Sequence, residues 1–215
     1  MSRLTRKERQ ARARECLMRS AASVFARRGL QQASIDEVAE HAGFTKGAFY
    51  ANFKSKEELF LAMLDERFAK RIEDIEAVIA DESTAAQKAR RAGDAFAKSL
   101  RADPEWERLF FEFSAYAARN EDFRQEFVTR YRAMRDGIAA ALRAHAEEMG
   151  KEAAMPFDQV AAMTCVMSNG FHLEKMLEGD EVADELYETM LMIFFAWLDA
   201  LKGAPALTTA GAIDA

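Results

Sequence analysis

The chain has 215 residues, 50% of them hydrophobic and 31% charged, with three prolines and ten glycines. This composition is ample for a core, favours helices, and excludes a strand-and-turn architecture. The net charge of −6 is unevenly divided: residues 1–56 hold 12 Lys and Arg against 5 Asp and Glu, a surplus of +7, and the remainder carries −13. A basic head on an acidic body is the electrostatic footprint of a module that docks on phosphate.

The first helix is predicted from about Lys7 to Arg28, with Leu17, Ala21, Val24 and Phe25 as its inner stripe and Gly29 as its stop. Its early arginines, Arg6, Arg9 and Arg12, are expected to extend from a disordered arm. Ser34 and Glu37 have the spacing of a capping box, in which side chains satisfy each other's free backbone donors. Ile35, Val38, Ala39 and Ala42 follow at helical spacing, and Gly43 can end that helix in a left-handed conformation. Thr45 caps a second short helix over 46–52, with Phe44, Phe49 and Phe53 assigned to the core. Two short helices joined by a tight turn have the grammar of a helix-turn-helix, whose second helix enters a DNA major groove.

The stretch from Gly29 through Ser34, Val38, Ala39, Ala42, Gly43, Thr45-Lys46-Gly47, Phe49-Tyr50, Asn52-Phe53 and Ser55-Lys56-Glu57 to Leu59 resembles the TetR family of transcriptional regulators in order and spacing. The matching block runs from about Arg14 to Phe60. Asn52 departs from the His that many members carry, and both can donate to a phosphate. The resemblance implies an all-α fold of about nine helices. A helix-turn-helix domain (1–54) is expected to precede a helical effector-binding and dimerisation domain (55–203) and a flexible tail (204–215). It also implies double-stranded DNA as partner and a homodimer formed through the last two helices.

Beyond the head, Ser55 and Glu58 predict a second capping box that opens a helix to about Ala80, and Thr84 starts a fifth to about Arg101. Asp103-Pro104 predicts the sharp start of a short sixth helix. Asn120 caps a seventh ending at Gly150, Pro156 opens an eighth that Gly179 closes, and Asp180 caps a ninth that runs to Gly203. The apolar run from Met190 to Leu198 is far too short to span a bilayer, so no membrane is expected. With no secretory signal, a cytoplasmic location and two free buried thiols, Cys16 and Cys165, are expected.

Ser34, Thr45, Lys46, Gly47, Tyr50, Asn52 and Lys56 are the expected DNA-binding residues. Thr45 sits where a helix start favours phosphate, Lys46 is the candidate reader of guanine acceptors, and Gly47 permits close backbone approach. Tyr50, Asn52 and Lys56 flank the backbone, while Ser34 is open to a purely capping role. A homodimer would bind half-sites about 34–36 Å apart, or a multiple, in a palindromic operator.

For an effector, the family's cavity implies a wall built from Trp106, Phe110, Phe113, Met134, Met163, Met167 and Phe171, whose aromatic and thioether groups suit a small hydrophobic or aromatic molecule. Asn169 and His172, polar groups within the eighth helix, suit either ligand orientation or hydrogen bonds across a dimer interface. No catalytic residue, metal ligand or cofactor is expected: the three histidines are scattered and no phosphate-cradling or nucleophile motif occurs. The sequence therefore predicts a ligand-responsive repressor rather than an enzyme. The alternative is a helical adaptor or scaffold with a basic N-terminal surface and no specific operator.

Overall fold

A computed structural model of the chain describes residues 5–80, 84–150 and 155–200, so the expected tail at 204–215 lies outside the described residues. Among them the regular elements are nine α-helices: α1 (Arg6–Gln32), α2 (Ile35–His41), α3 (Lys46–Tyr50), α4 (Lys56–Ile79), α5 (Ala85–Ala102), α6 (Pro104–Ala117), α7 (Glu121–Glu148), α8 (Phe157–Glu178) and α9 (Glu185–Ala200). A single 3-10 turn, Gly179–Glu181, separates the last two.

Local capping explains most boundaries. Asp103 accepts from the Trp106 amide at 3.1 Å ahead of Pro104, and Asn120 accepts from the Phe123 amide at 3.0 Å. Four boundaries depart from expectation. Arg6, Arg9 and Arg12 are helical rather than on a loose arm, because Thr5 and Glu8 form a further capping box. At α4 the Glu58 amide donates to Ser55 as expected, but the Glu58 carboxylate accepts from the Lys54 amide instead of closing the box. Pro156 stands just before α8 and offers only its carbonyl, to the amides of Gln159 and Val160. Asp180 caps no helix: after Gly179, at φ 62°, the chain makes the 3-10 turn, and an extended Val182 buries its side chain before α9 begins.

Packing divides the chain into two compact units. The first comprises residues up to Lys70 together with Leu100–Arg132, and the second Arg71–Ser99 together with residues from Ala133 onward. In the first unit, Leu17, Ala21, Val24 and Phe25 of α1 meet Val38 and Ala39 of α2 and the rings of Phe49 and Phe53. The opening of α4 is buried from Leu59 to Leu64, on all its faces. Phe60 stacks on Phe113 of α6 at 3.3 Å between ring centroids and on Trp106 at 5.7 Å. Burying side chains of this size stabilises by about 1.5–3 kcal/mol each. The two short helices α2 and α3 leave part of the inner stripe of α1 to be covered by α4 and α6.

In the second unit, a Cβ on Gly93 of α5 would lie 2.8 Å from the Glu188 Cβ of α9, so these two helices approach backbone to backbone. Met134, Ile138, Val160, Cys165, Phe171, Tyr187, Leu191 and Phe194 are buried here. Cys165 is buried and in no disulfide, as expected, whereas Cys16, in the first unit, is likewise in no disulfide but only half-buried. Along α8, Met163, Val166, Gly170, Leu173 and Leu177 are all exposed at alternating spacings of three and four, and Leu186, Ile193 and Trp197 continue the pattern on α9. Val166 is 69% exposed, Leu177 68% and Ile193 65%, so this stripe is left uncovered by the described residues.

Candidate functional site

The short helix α3 begins at Lys46 because Thr45 accepts a hydrogen bond from the Ala48 amide at 3.2 Å. The preceding turn depends on Gly43, whose φ of 74° lets the Phe44 amide reach back to the Ala39 carbonyl at 2.8 Å. Phe49 and Phe53 anchor the inner side of α3 in the core, which leaves Thr45, Lys46, Gly47 and Tyr50 exposed. Lys46 extends toward α2, where its ammonium donates to Asp36 at 2.9 Å and is held above its ordinary pKa by that bond. Both side chains are more than half exposed, so phosphates or base edges can compete for the lysine. A Cβ on Gly47 would meet only the Thr45 hydroxyl at 3.8 Å, so the fold itself does not require glycine there.

Ser34 is exposed and caps α2: its hydroxyl accepts from the Glu37 amide at 3.1 Å, and the Glu37 carboxylate accepts from the Ser34 amide at 3.0 Å. The Ser34 amide first, and then its hydroxyl, which donates to the same carboxylate at 3.1 Å, hold the Glu37 carboxyl below its usual range. Asn52 turns back on its own helix, its amide nitrogen donating to the Ala48 carbonyl at 2.8 Å. Lys56, expected beside the DNA backbone, reaches the end of α1 in the free chain. Its ammonium donates to the carbonyls of Leu30 at 2.6 Å, Ala33 at 3.2 Å and Gln31 at 3.3 Å. An ammonium has three protons, and all three are engaged at the end of α1.

Two residues that sequence reasoning passed over hold this head together. Arg14 of α1 donates to the Asn52 carbonyl at 3.2 Å, with its guanidinium 4.3 Å from the centre of the Phe53 ring. Glu112 of α6 accepts from the Leu30 amide at 2.5 Å, just beyond the break in α1 where Gly29 adopts φ 75°. Their partners lie 38 and 82 residues away, so no local pattern could have announced them.

The family model described as "Bacterial regulatory proteins, tetR family" matches residues 17–63, and that described as "BetI-type transcriptional repressor, C-terminal" matches residues 85–200, more than half of the chain. The chain belongs to the TetR family. It is thus a DNA-binding transcriptional regulator with a helix-turn-helix, as the exposed face of α3 suggests. Among TetR relatives, the transcriptional activator FasR of Mycolicibacterium smegmatis is 33% identical over 52% of this chain and 49% of its own length. The fatty acid metabolism regulator protein of Bacillus subtilis is 32% identical over 32% of this chain and 36% of its own. The chain therefore spans about half the length of the first and about a third of the second. The crystal structure of FadR from Bacillus subtilis in complex with stearoyl-CoA matches with a TM-score of 0.68 at 16% identity, over 84% of this chain and 96% of that one. At that identity the likeness is one of fold.

The residues expected to line one effector wall fall into both units. Trp106, Phe110 and Phe113 belong to the first, where they pack into its aromatic core with Phe60, Phe68 and Phe127. Met134, Met163, Met167, Asn169, Phe171 and His172 belong to the second. Met134 is buried, Met167 and Asn169 are half-buried, and Met163 stands on the exposed stripe of α8. Phe171 and His172 converge with Phe96 of α5 and Tyr187 of α9. The Phe96 ring lies 4.5 Å from His172, 4.2 Å from Tyr187 and 6.0 Å from Phe171. Arg71 of α4 joins this cluster through Ser168, whose hydroxyl accepts from the guanidinium at 2.6 Å. Burial, followed by the Arg71 charge, pushes the His172 imidazole down to a pKa of about 3, and burial pushes the Tyr187 phenol up. Phe96, Ser168 and Tyr187 were not among the expected effector residues. Their only signal was apolar or small character at helical spacing, which ordinary core residues share.

Proposed function

We propose that this regulator acts as a homodimer that places two copies of α3 in successive major-groove segments of a palindromic operator and is released by a small apolar effector. The observation that carries this reading is the exposed quartet of Thr45, Lys46, Gly47 and Tyr50 on a helix pinned from behind by Phe49 and Phe53. Lys46 supplies base readout by exchanging Asp36 for guanine acceptors. Tyr50 and the capping hydroxyls of Thr45 and Ser34 position the phosphates, and Asn52 and Lys56 support α3 and α1 from within the head.

The uncovered stripe on α8 and α9 supports dimerisation through these two helices, because its alternating spacings are those of packed helix seams. Gly170, whose Cβ would meet nothing within 4 Å, leaves room mid-stripe for the second copy. An isologous pair supplies the two-fold axis a palindrome requires. The effector's contacts centre on the aromatic cluster of Phe96, Phe171, His172 and Tyr187, with Met134 and Met167 from the same unit. The acyl-CoA bound by the FadR relative supports an effector with a large apolar part. Release requires the effector to prefer the DNA-incompetent arrangement, by about 10⁴-fold for a complete shift. Repression is supported by the repressor description of the family model over residues 85–200, and the protein acts by binding rather than catalysis.

Selection from a random duplex library tests this reading. Enrichment of an inverted repeat with half-sites about one helical turn apart, or a multiple, is the expected result. Recovery of no common sequence would leave only a basic surface and contradict the proposal.

A further inference from the structure

We infer that the cluster around Arg71 receives the carboxylate of a small amphiphilic acid, whose apolar body lies against Phe96, Phe171 and Tyr187. The inference rests on the effector reading above and adds the charge of the ligand to it.

Arg71 lies on α4 with its guanidinium carbon 5.6 Å from the centre of the Phe96 ring, and one terminal nitrogen donates to the Ser168 hydroxyl. Its Nε is buried and donates to no acceptor, and none of the described carboxylates pairs with it. A guanidinium presents Nε and an adjacent terminal nitrogen as a fork that matches the two oxygens of a carboxylate. Here the Nε prong is left without an acceptor, and a terminal nitrogen rests on a neutral hydroxyl. A buried charged donor without an acceptor carries its full desolvation penalty, which an anion would remove.

The surroundings define the anion further. Ser168 and Tyr187 are neutral hydroxyls, and His172 is uncharged at physiological pH, so the cluster offers one positive charge. One guanidinium matches a single carboxylate, whereas a polyphosphate head would require several cations. Phe96, Phe171 and Tyr187 provide an apolar wall next to that charge. Arg71 as a whole is half-buried, and an anion reaches its buried Nε only by parting the neighbouring side chains.

The test is calorimetric titration of the full chain with paired probes below any micelle concentration: dodecanoate against dodecanol, and 1-naphthylacetate against its amide. Dodecanoyl-CoA and inorganic phosphate form separate arms. At least one acid is expected to bind tenfold or more tightly than its uncharged counterpart. Arg71→Met should abolish that preference while keeping the uncharged probe's affinity, and Arg71→Lys, which keeps the charge without the fork, should retain part of it. Without ligand, Arg71→Met should melt no lower than the natural chain, because it removes an uncompensated charge. Equal binding of acid and uncharged probe by the natural chain would overturn the anion site and leave the apolar effector standing. Binding of no organic probe would overturn both. Binding of phosphate or dodecanoyl-CoA alone would reassign Arg71 to a phosphate and overturn the carboxylate. A lowered melting point of Arg71→Met with undiminished acid preference would make Arg71 a structural residue and overturn the proposal.

Discussion

Lys56 illustrates how a charged residue next to an exposed helix can serve the fold. Its three hydrogen bonds to the carbonyls of Leu30, Gln31 and Ala33 satisfy acceptors that the end of α1 leaves open. Lys56→Ala is therefore expected to lower the stability of the protein by about 1–3 kcal/mol in urea unfolding. The salt dependence of DNA binding by the folded variant should stay unchanged. Gly47 predicts the opposite pattern. Its surroundings accept a methyl group, so Gly47→Ala should stabilise α3 by about 0.5–1 kcal/mol while weakening DNA binding about tenfold through steric approach. An unfolding curve and an anisotropy titration on the same sample separate the two effects.

His172 gives the residue scale a pH signature. Its folded pKa of about 3 lies below the ordinary 6.5, so between those values the unfolded chain binds more protons and stability falls as pH drops. Above about pH 7 the group contributes no pH dependence. His172→Gln should flatten this acid limb, by a few kcal/mol near pH 3 to 4, when denaturant midpoints of the two proteins are compared across pH.

At the scale of elements, the break in α1 joins sequence to packing most clearly. Gly29 adopts a φ of 75°, and a Cβ there would come within 3.1 Å of the Glu112 carboxylate that accepts from Leu30. Gly29→Ala is thus strained twice and should cost about 1–3 kcal/mol, measured by thermal unfolding. Gly29 was legible as a helix stop because glycine's freedom is a local property, as were the caps at Ser34, Thr45, Asp103 and Asn120. The bonds made by Arg14, Lys56 and Glu112 were not legible, because each joins residues 23 or more positions apart and leaves no periodic trace. The residues of the expected effector wall divide between the two units for a related reason: aromatic residues at helical spacing look alike whether they form a head's core, as Trp106 and Phe113 do, or surround a polar cluster. The α8–α9 stripe makes its own prediction. Leu177→Glu with Ile193→Glu should shift the protein from dimer to monomer in sedimentation experiments at micromolar concentration while leaving helical content intact.

For the whole molecule, family and helical class were recoverable from the sequence, since the head's motif is continuous and its caps are local. The packing of α6 on α1 left no local trace, because the two meet only after the chain has traversed α4 and α5. Exposure of α3 and its duplication by a two-fold axis are what the functional account depends on. The most direct measurement is fluorescence anisotropy of the purified full chain on intergenic DNA beside its own gene, with scrambled duplex as competitor at moderate ionic strength. The account predicts a fragment bound 10³-fold or more tightly than the competitor, on the order of known specific regulators, by two chains per site. Equal affinity for every fragment and the competitor would contradict it.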